Sequence, residues 1–370
     1  MGRKPNNPPE SETPEIKEEE VVIDKVLEDT EIKKVVANKM KALKDVLLGI
    51  DKKYGEGTIM KLGEYPIIKT EVIPTGALSL DLALGVGGIP KGRIVEIYGP
   101  ESGGKTTLAL TMARECQKRG GIVAYIDVEN ALDPVYAGNI GVNVDDLIFS
   151  QPNSAEDALN LVRDLSESGN VSLIIVDSVS ALVPMKEQEG EIGDSSMGVQ
   201  ARLMSQSMRM LVGPLNRTNT TAIFINQIRE KIGQVYGPTE TTTGGRALRF
   251  YSSVRIDIRR IETLKEGDVA IANRTKAKIS KNKVAPPFTV AEFDIVFGKG
   301  IDRCSSILEA GESIGIIRKN GAWYFYGEEK LGQGKNQAIK YLEDNSDKLI
   351  KIEEEVRIKN KEKGNVIPKG

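Results

Sequence analysis

The chain has 370 residues, 39% hydrophobic and 28% charged, with a formal net charge of −2, a balance that fits a globular protein with one large core and smaller appendages. It has no histidine. That excludes Ser-His-Asp and Cys-His catalysis and every zinc site that needs imidazole, leaving a carboxylate, lysine or tyrosine as general base.

Residues 1–32 hold four basic and ten acidic groups and no aromatics, with prolines at 5, 8, 9 and 14; this reads as an acidic, disordered extension. It hangs on a body of net charge +4, a balance compatible with nucleic-acid partners. The opening MGRKPNNPPESETPE lacks the apolar stretch of a secretory signal. No apolar run approaches a membrane span, and Cys116 and Cys304 form no CxxC pair. A cytoplasmic protein with reduced thiols and no membrane partner is expected.

From Glu31 to Tyr54, Ile32, Val35, Val36, Met40, Leu43, Val46, Leu47 and Ile50 recur at helical spacing. Residues 33–66 therefore read as an amphipathic helix and linker, to be buried on its own core or on a neighbouring subunit. From 67 to 300, β-rich runs alternate with helical ones. Strands are expected at 93–99, 122–127, 147–150, 172–178, 221–227, 254–260, 275–282 and 291–297. Helices are expected within 106–120, 154–169 and 201–216. The first strands, separated by helices, imply a doubly wound α/β core with a mostly parallel sheet; the later ones imply an antiparallel extension. Residues 301–360, with an Asn-Gly turn at 320–321, read as a small α+β C-terminal domain, and 361–370 as a short basic tail.

Gly99, Pro100, Glu101, Ser102, Gly103, Gly104, Lys105 and Thr106 match G-x-x-x-x-G-K-[ST] at every fixed position, between a strand and a helix that continues through Thr107. Such a loop turns backbone N–H groups onto phosphates at a helix N-terminus. Lys105 would reach the β- and γ-phosphates of ATP, and the Thr106 hydroxyl would ligate Mg²⁺. Asp177 ends the apolar run SLIIVDS, where it can hold the same ion. Glu129, just past IVAYID, is the best candidate to polarise an attacking water, with Asp127 as rival; the local sequence does not separate them. Gln227, at the end of TAIFINQ, is an amide able to sense the γ-phosphate.

The stretches IVEIYGPESGGKTTL, EGEIGDSSMG, FINQIREKIG, ETTTGG and KNKVAPPF resemble the bacterial RecA family of DNA strand-exchange recombinases, nearly continuously from Lys41 to Lys340. The resemblance implies a RecA-type P-loop NTPase core and a DNA-dependent ATPase that forms helical homo-oligomeric filaments on single-stranded DNA. Pairing with double-stranded DNA follows, with an SOS repressor and a single-strand-binding protein as partners. It favours Glu129 over Asp127 as the base. Loops 189–198 and 228–245 would hold single-stranded DNA, with Arg202, Arg209, Arg229 and Arg246 on phosphates. Gly198, Gly244 and Gly245 would offer backbone donors, and Met197, Val235 and Tyr236 would lie against bases.

Lys281 and Lys283 match lysines that reach a neighbouring subunit's γ-phosphate; considered alone, they suit edge-strand protection. Tyr136 matches the residue that stacks on adenine, with Asp133 near the base. Arg259, Arg260, Lys319 and Lys335 would contact duplex DNA in or near a C-terminal duplex-binding domain. The helix at 33–54 would pack on the adjacent core. The chain departs from the family pattern at its ends: IKNKEKGNVIPKG is basic, and the acidic run is N-terminal. Asn130 stands where the family often has His, and Phe297 where it often has Tyr. The rival readings are a ring helicase, a small-molecule kinase and a non-catalytic filament scaffold.

Overall fold

The computed structural model describes residues 30–55, 58–59, 70–191, 198–230 and 240–364. Residues up to Lys69 and those from Thr70 onward form two compact units. In the first, α1 (Thr30–Tyr54) carries the expected helical stripe, and Val36, Met40, Leu43 and Val46 are exposed along it.

The second unit begins with β1 (Val72–Ile73), α2 (Leu78–Ala83) and β2 (Ile89–Pro90). The core follows as β3 (Ile94–Gly99), α3 (Lys105–Gln117), β4 (Val123–Asp127), α4 (Pro134–Ile140), β5 (Ile148–Ser150), α5 (Ala155–Glu167) and β6 (Leu173–Asp177). It continues through α6 (Met185–Gln188), α7 (Val199–Thr218), β7 (Thr221–Glu230), β8 (Glu240–Thr242) and α8 (Ala247–Tyr251). Four strands, β9 (Val254–Glu266), β10 (Val269–Asn282), β11 (Val290–Val296) and β12 (Gly300–Ile301), complete the sheet. The C-terminal part is α9 (Arg303–Ile314), β13 (Ile317–Asn320), β14 (Trp323–Tyr326), β15 (Glu329–Gln333), α10 (Lys335–Asp344) and α11 (Ser346–Gly364).

The large sheet runs β12-β11-β10-β9-β3-β7-β6-β4-β5, with β8 attached to β7. From β9 to β5 the pairings along this path are parallel; β9 through β12 pair antiparallel. Side-chain alternation divides the interior into two layers. Ile97, Tyr125, Ile175 and Ile223 face Leu108 and Met112 of α3. Ala124, Ile126, Val176 and Phe224 face Leu159 of α5 and Met208 and Leu211 of α7. The C-terminal helices and their three-stranded sheet enclose a third cluster around Ile307, Leu331, Leu342 and Ile352, which also takes in Leu78 of α2.

Local chemistry fixes the helix starts. Asp133, Ser154 and Asp302 cap α4, α5 and α9 by accepting from backbone N–H groups inside the first turn. Pro134 opens α4 with its φ already helical.

Three strands run past their expected ends. β7 reaches Glu230, β9 reaches Glu266, and β10 starts at Val269. The extra length reaches beyond the buried sheet and mixes apolar with charged residues, Ile261, Val269 and Ile271 being exposed. β10 is flanked by β9 and β11 only as far as Lys278; Lys281 pairs with Arg255 of β9 beyond that point, on a locally open edge, and Lys283 follows the end of the strand at Asn282. Among the described residues, no helix is long and apolar enough to cross a membrane.

Candidate functional site

The phosphate loop lies at the carboxyl end of β3, the central strand, beside Gln227 of β7 and Ile258 of β9. Two glycines are demanded by close approach. A Cβ on Gly99 would sit 2.0 Å from the Ile258 carbonyl oxygen, and one on Gly104 would sit 2.4 Å from Ile295 Cδ1. Gly104 has φ +93° and Ser102 φ +56°, left-handed conformations that turn successive N–H groups toward one concavity. α3 begins directly at Lys105, so its first free N–H groups and positive end point there as well.

A pocket of about 230 Å³ opens above this loop. Ser102 through Thr107 form its floor, Tyr136 one side, and Asn273, Thr275, Ile295 and Phe297 the other. The Tyr136 hydroxyl lies 2.7 Å from Thr107 Oγ1, which holds the ring at the mouth. Asp133 is exposed and spends one carboxylate oxygen on the Val135 N–H at 2.8 Å. The wall from β10 and β11 was not read from the sequence as part of the site, apart from Phe297. Its residues sit more than 160 positions from the loop, and only strand pairing brings them there.

Lys105 Nζ donates to the Pro100 carbonyl at 2.7 Å. Burial pulls its pKa down, against Asp177, Glu129 and Glu101, which favour the charged form. Thr106 Oγ1 and the Tyr125 hydroxyl each donate to Asp177 Oδ2 at 2.8 Å. Burial, with the nearby Glu129 and Asp127 charges, raises the Asp177 carboxyl despite those bonds. A hydroxyl and a buried carboxylate in contact form an all-oxygen donor set that suits a hard divalent cation completed by phosphate and water.

The structure separates the two candidate bases. Asp127 is buried; Oδ1 accepts from Ala131 N at 3.3 Å, and Oδ2 from Leu132 N and Gln151 Nε2, each at 3.1 Å. It holds the turn after β4. Glu129 is exposed, and its Oε1 accepts from Ser178 Oγ and from Gln227 Nε2, the latter at 3.1 Å. Glu129 and Gln227, 98 positions apart, meet because β4 and β7 both flank β6. Ser178, which follows Asp177 through a cis peptide, was not singled out beforehand.

Past Gln227 the chain does not enter a loop at once. Ile228, Arg229 and Glu230 pair with Thr242, Thr241 and Glu240, so the expected loop 228–245 is a β-ribbon at its base. The expected loop 189–198 follows the short helix α6 rather than a strand. Met197, Val235 and Tyr236 lie outside the described residues. Arg202 and Arg209 are exposed seven positions apart along α7, and Arg229 and Arg246 are exposed as well. Gly198 precedes α7 with φ +79°. Gly244 and Gly245 are packing positions, where a Cβ would lie 2.8 Å from Val179 Cγ1 and 2.7 Å from Ala201 Cβ.

Arg260 and Lys319 are exposed, Lys319 with its ammonium 5.3 Å from the Tyr324 ring centroid. Two other expected DNA contacts are engaged elsewhere. Arg259 is tied to Glu240 and to Asp257, whose nearer oxygen is 2.9 Å away. Lys335 lies 2.6 Å from Asp294 Oδ2 and 2.7 Å from Glu309 Oε1. Their charges are neutralised within the fold, which a list of cations along a sequence does not reveal. Lys281 Nζ donates to the Arg249 and Phe250 carbonyls at 2.8 and 2.9 Å, and Lys283 is exposed.

Family models match along nearly the whole of this framework: the RecA N-terminal domain over residues 41–302 and the RecA C-terminal domain over 305–361. The chain belongs to the RecA family. It is 55% identical to Protein RecA of Clostridium beijerinckii over 323 residues, covering 87% of this chain and 90% of that protein. It is 56% identical to Protein RecA of Cutibacterium acnes over 320 residues, or 86% and 92% of the two chains. Among solved structures, the crystal structure of the RadB recombinase is similar with a TM-score of 0.48 and 23% identity, over 62% of this chain and 98% of its own. RecA membership carries a role in DNA recombination and repair and accounts for a phosphate loop on a mostly parallel sheet.

Proposed function

We propose that the protein is a DNA-dependent ATPase that assembles into ATP-bridged helical filaments on single-stranded DNA and catalyses homologous pairing and strand exchange with double-stranded DNA. One observation carries the reading. The Glu129–Gln227 hydrogen bond joins the candidate water-activating carboxylate to the strand that becomes the β7–β8 ribbon. A single contact thereby links the reacting end of ATP to a DNA-facing element.

The loop N–H groups and Lys105 bind the phosphates of ATP, and Tyr136 packs beside the base. Thr106 and Asp177 would hold Mg²⁺, which supplies charge neutralisation to the phosphates when bound. Glu129 orients a water for in-line attack and accepts its proton. Gln227 exchanges its bond to Glu129 for one to the γ-phosphate or its water, and the ribbon follows.

From the adjacent subunit, Lys281 and Lys283 bring positive charge to the same phosphate, so that nucleotide is the joint between subunits. The exposed apolar stripe of α1 supports a second, non-nucleotide contact between neighbours. Arg202, Arg209 and Arg229 neutralise the DNA backbone, and Arg260 and Lys319 remain as duplex contacts. Stimulation of an SOS repressor and cooperation with a single-strand-binding protein belong to the same reading.

The test is ATP turnover with and without single-stranded DNA, combined with negative-stain imaging. Turnover that rises with DNA, together with open helical filaments, supports the proposal. Closed rings, or turnover indifferent to DNA, overturn it.

A further inference from the structure

The β10–β11 pair has two chemically different faces. On one, Asn273, Thr275 and Ile295 line the nucleotide pocket, and Ile295 approaches the backbone of Gly104. On the other lie Arg274 and Asp294, directly paired across the two strands. Strand alternation puts the residues that touch the pocket one position away from the residues that face the C-terminal helices.

That outer face is clamped by charge. Arg274 Nη1 donates to Asp294 Oδ1 at 3.0 Å and also to Glu309 of α9. Lys335, the first residue of α10, bonds Asp294 and Glu309 together. Ser305 Oγ of α9 adds a 2.7 Å bond to Asp294 Oδ2. Asp294 is 4% exposed. Burial opposes its ionisation, but the bonds from Lys335 and Ser305 outweigh that and hold the carboxyl below its ordinary range. A buried, fully partnered charge fixes geometry closely, because any displacement leaves it unpaired.

We propose that Lys335 and Glu309 are positioning residues for nucleotide binding: through Asp294 and Arg274 they set the β10–β11 wall against the phosphate loop, so that the seating of the C-terminal helices governs affinity for ATP. The inference rests on the nucleotide reading of the pocket. It gives Lys335 a role in the nucleotide site.

The test measures binding of a fluorescent ATP analogue to the full chain without DNA, for wild type, Lys335→Met, Glu309→Gln and Lys335→Arg. Thermal melts report folding, and Glu309→Gln carries the test if Lys335→Met does not fold. Network substitutions of this kind weaken coupling by about two- to thirtyfold. The expected result is a rise of that size in dissociation constant for Lys335→Met and Glu309→Gln, appearing in KM for ATP more than in kcat, with affinity recovered in Lys335→Arg. Affinities all within twofold of wild type overturn the inference. Unchanged nucleotide affinity with weaker duplex binding and a salt slope reduced by about one returns Lys335 to the DNA contacts and also overturns it. Failure of wild type itself to bind the analogue is the distinct result that sinks the nucleotide reading and the inference with it.

Discussion

Glu129→Gln and Asp127→Asn are nearly identical chemical changes two positions apart, and the geometry gives them opposite consequences. Asp127 is 2% exposed and holds two backbone N–H groups on two different oxygens, Ala131 on Oδ1 and Leu132 on Oδ2. An asparagine has one carbonyl oxygen, so in either orientation one of those N–H groups faces an NH₂. A donor left without an acceptor costs about 1–3 kcal/mol when buried; these bonds are only part-buried, which brings the expected loss to about 1 kcal/mol. Asp127→Asn should therefore lower stability by that amount in urea denaturation and reduce turnover only as far as the fold is lost. Glu129 is exposed, and glutamine still accepts from Ser178 and Gln227, so Glu129→Gln should shift stability by less than about 0.5 kcal/mol. It removes the proton acceptor, which costs about 10²–10⁴ in turnover. Phosphate release with saturating ATP and single-stranded DNA reads the rate, and analogue binding verifies that the pocket remains intact. A stable but inactive Asp127→Asn, alongside a Glu129→Gln within threefold of wild type, would refute the assignment.

Gln227→Ala removes the 3.1 Å bond to Glu129 and should keep ATP binding while losing stimulation by DNA; full stimulation would rule out the switch. Arg357 lies 3.1 Å from Asp81, whose pKa is pushed up to about 6 from 3.8, burial being the main cause. With its folded pKa raised, Asp81 contributes stability below its unfolded value of about 4 that is lost as pH rises through about 6. Its ion pair with Arg357 exists only on the high side of that window. Arg357→Met should therefore cost about 2–3 kcal/mol at pH 8, allowing for a part-exposed guanidinium, and clearly less at pH 5; equal losses in denaturation at both pH values would contradict this. The Lys281 ammonium is pushed down to about 8, by burial first and then by Lys283 and Arg255. A phosphate contact needs its charged form, so ATP-dependent assembly followed by light scattering should weaken as pH rises through 8, and Lys281→Arg should flatten the profile. Wild-type assembly that is constant from about pH 7 to 9 would exclude Lys281 from the joint.

The α/β core was legible because its strands are buried on both faces and read as unbroken apolar runs, such as Leu173–Asp177. The phosphate loop was legible because its chemistry is contiguous. Long-range adjacency was not. The pocket wall of Asn273, Thr275 and Ile295 lies far along the chain from the loop, and only strand pairing brings it there. Ser178 reads from the sequence as the last residue of the strand 172–178, and its bond to Glu129 depends on β4 and β6 ending side by side. The intramolecular partners of Arg259 and Lys335 were hidden for a related reason. A cation's availability depends on carboxylates that only folding delivers, Glu240 to one and Glu309 to the other.

The base of the ribbon also dictates where a signal from Gln227 can go. Asn226, immediately before it, is fully buried and donates to Glu96 Oε1 at 3.0 Å and to the Thr243 carbonyl at 3.1 Å. Glu96 is itself held by Arg255. Both arms of the ribbon are therefore pinned at one level, β7 at Asn226 and the returning chain at Thr243. Gly244 and Gly245 lock that return further against Val179 and Ala201. Moving the core side of this pin would strand the buried Glu96 charge, which makes it the stiff direction. Among the described residues, the outer side is held by the short β7–β8 ladder and the exposed Arg259–Glu240 pair, which makes it the soft one. A change of partner at Gln227, the first side chain beyond the pin, is thus directed outward along the ribbon and away from the sheet. This asymmetry lets one hydrogen bond reposition the ribbon proposed to face DNA without disturbing the phosphate loop one strand away.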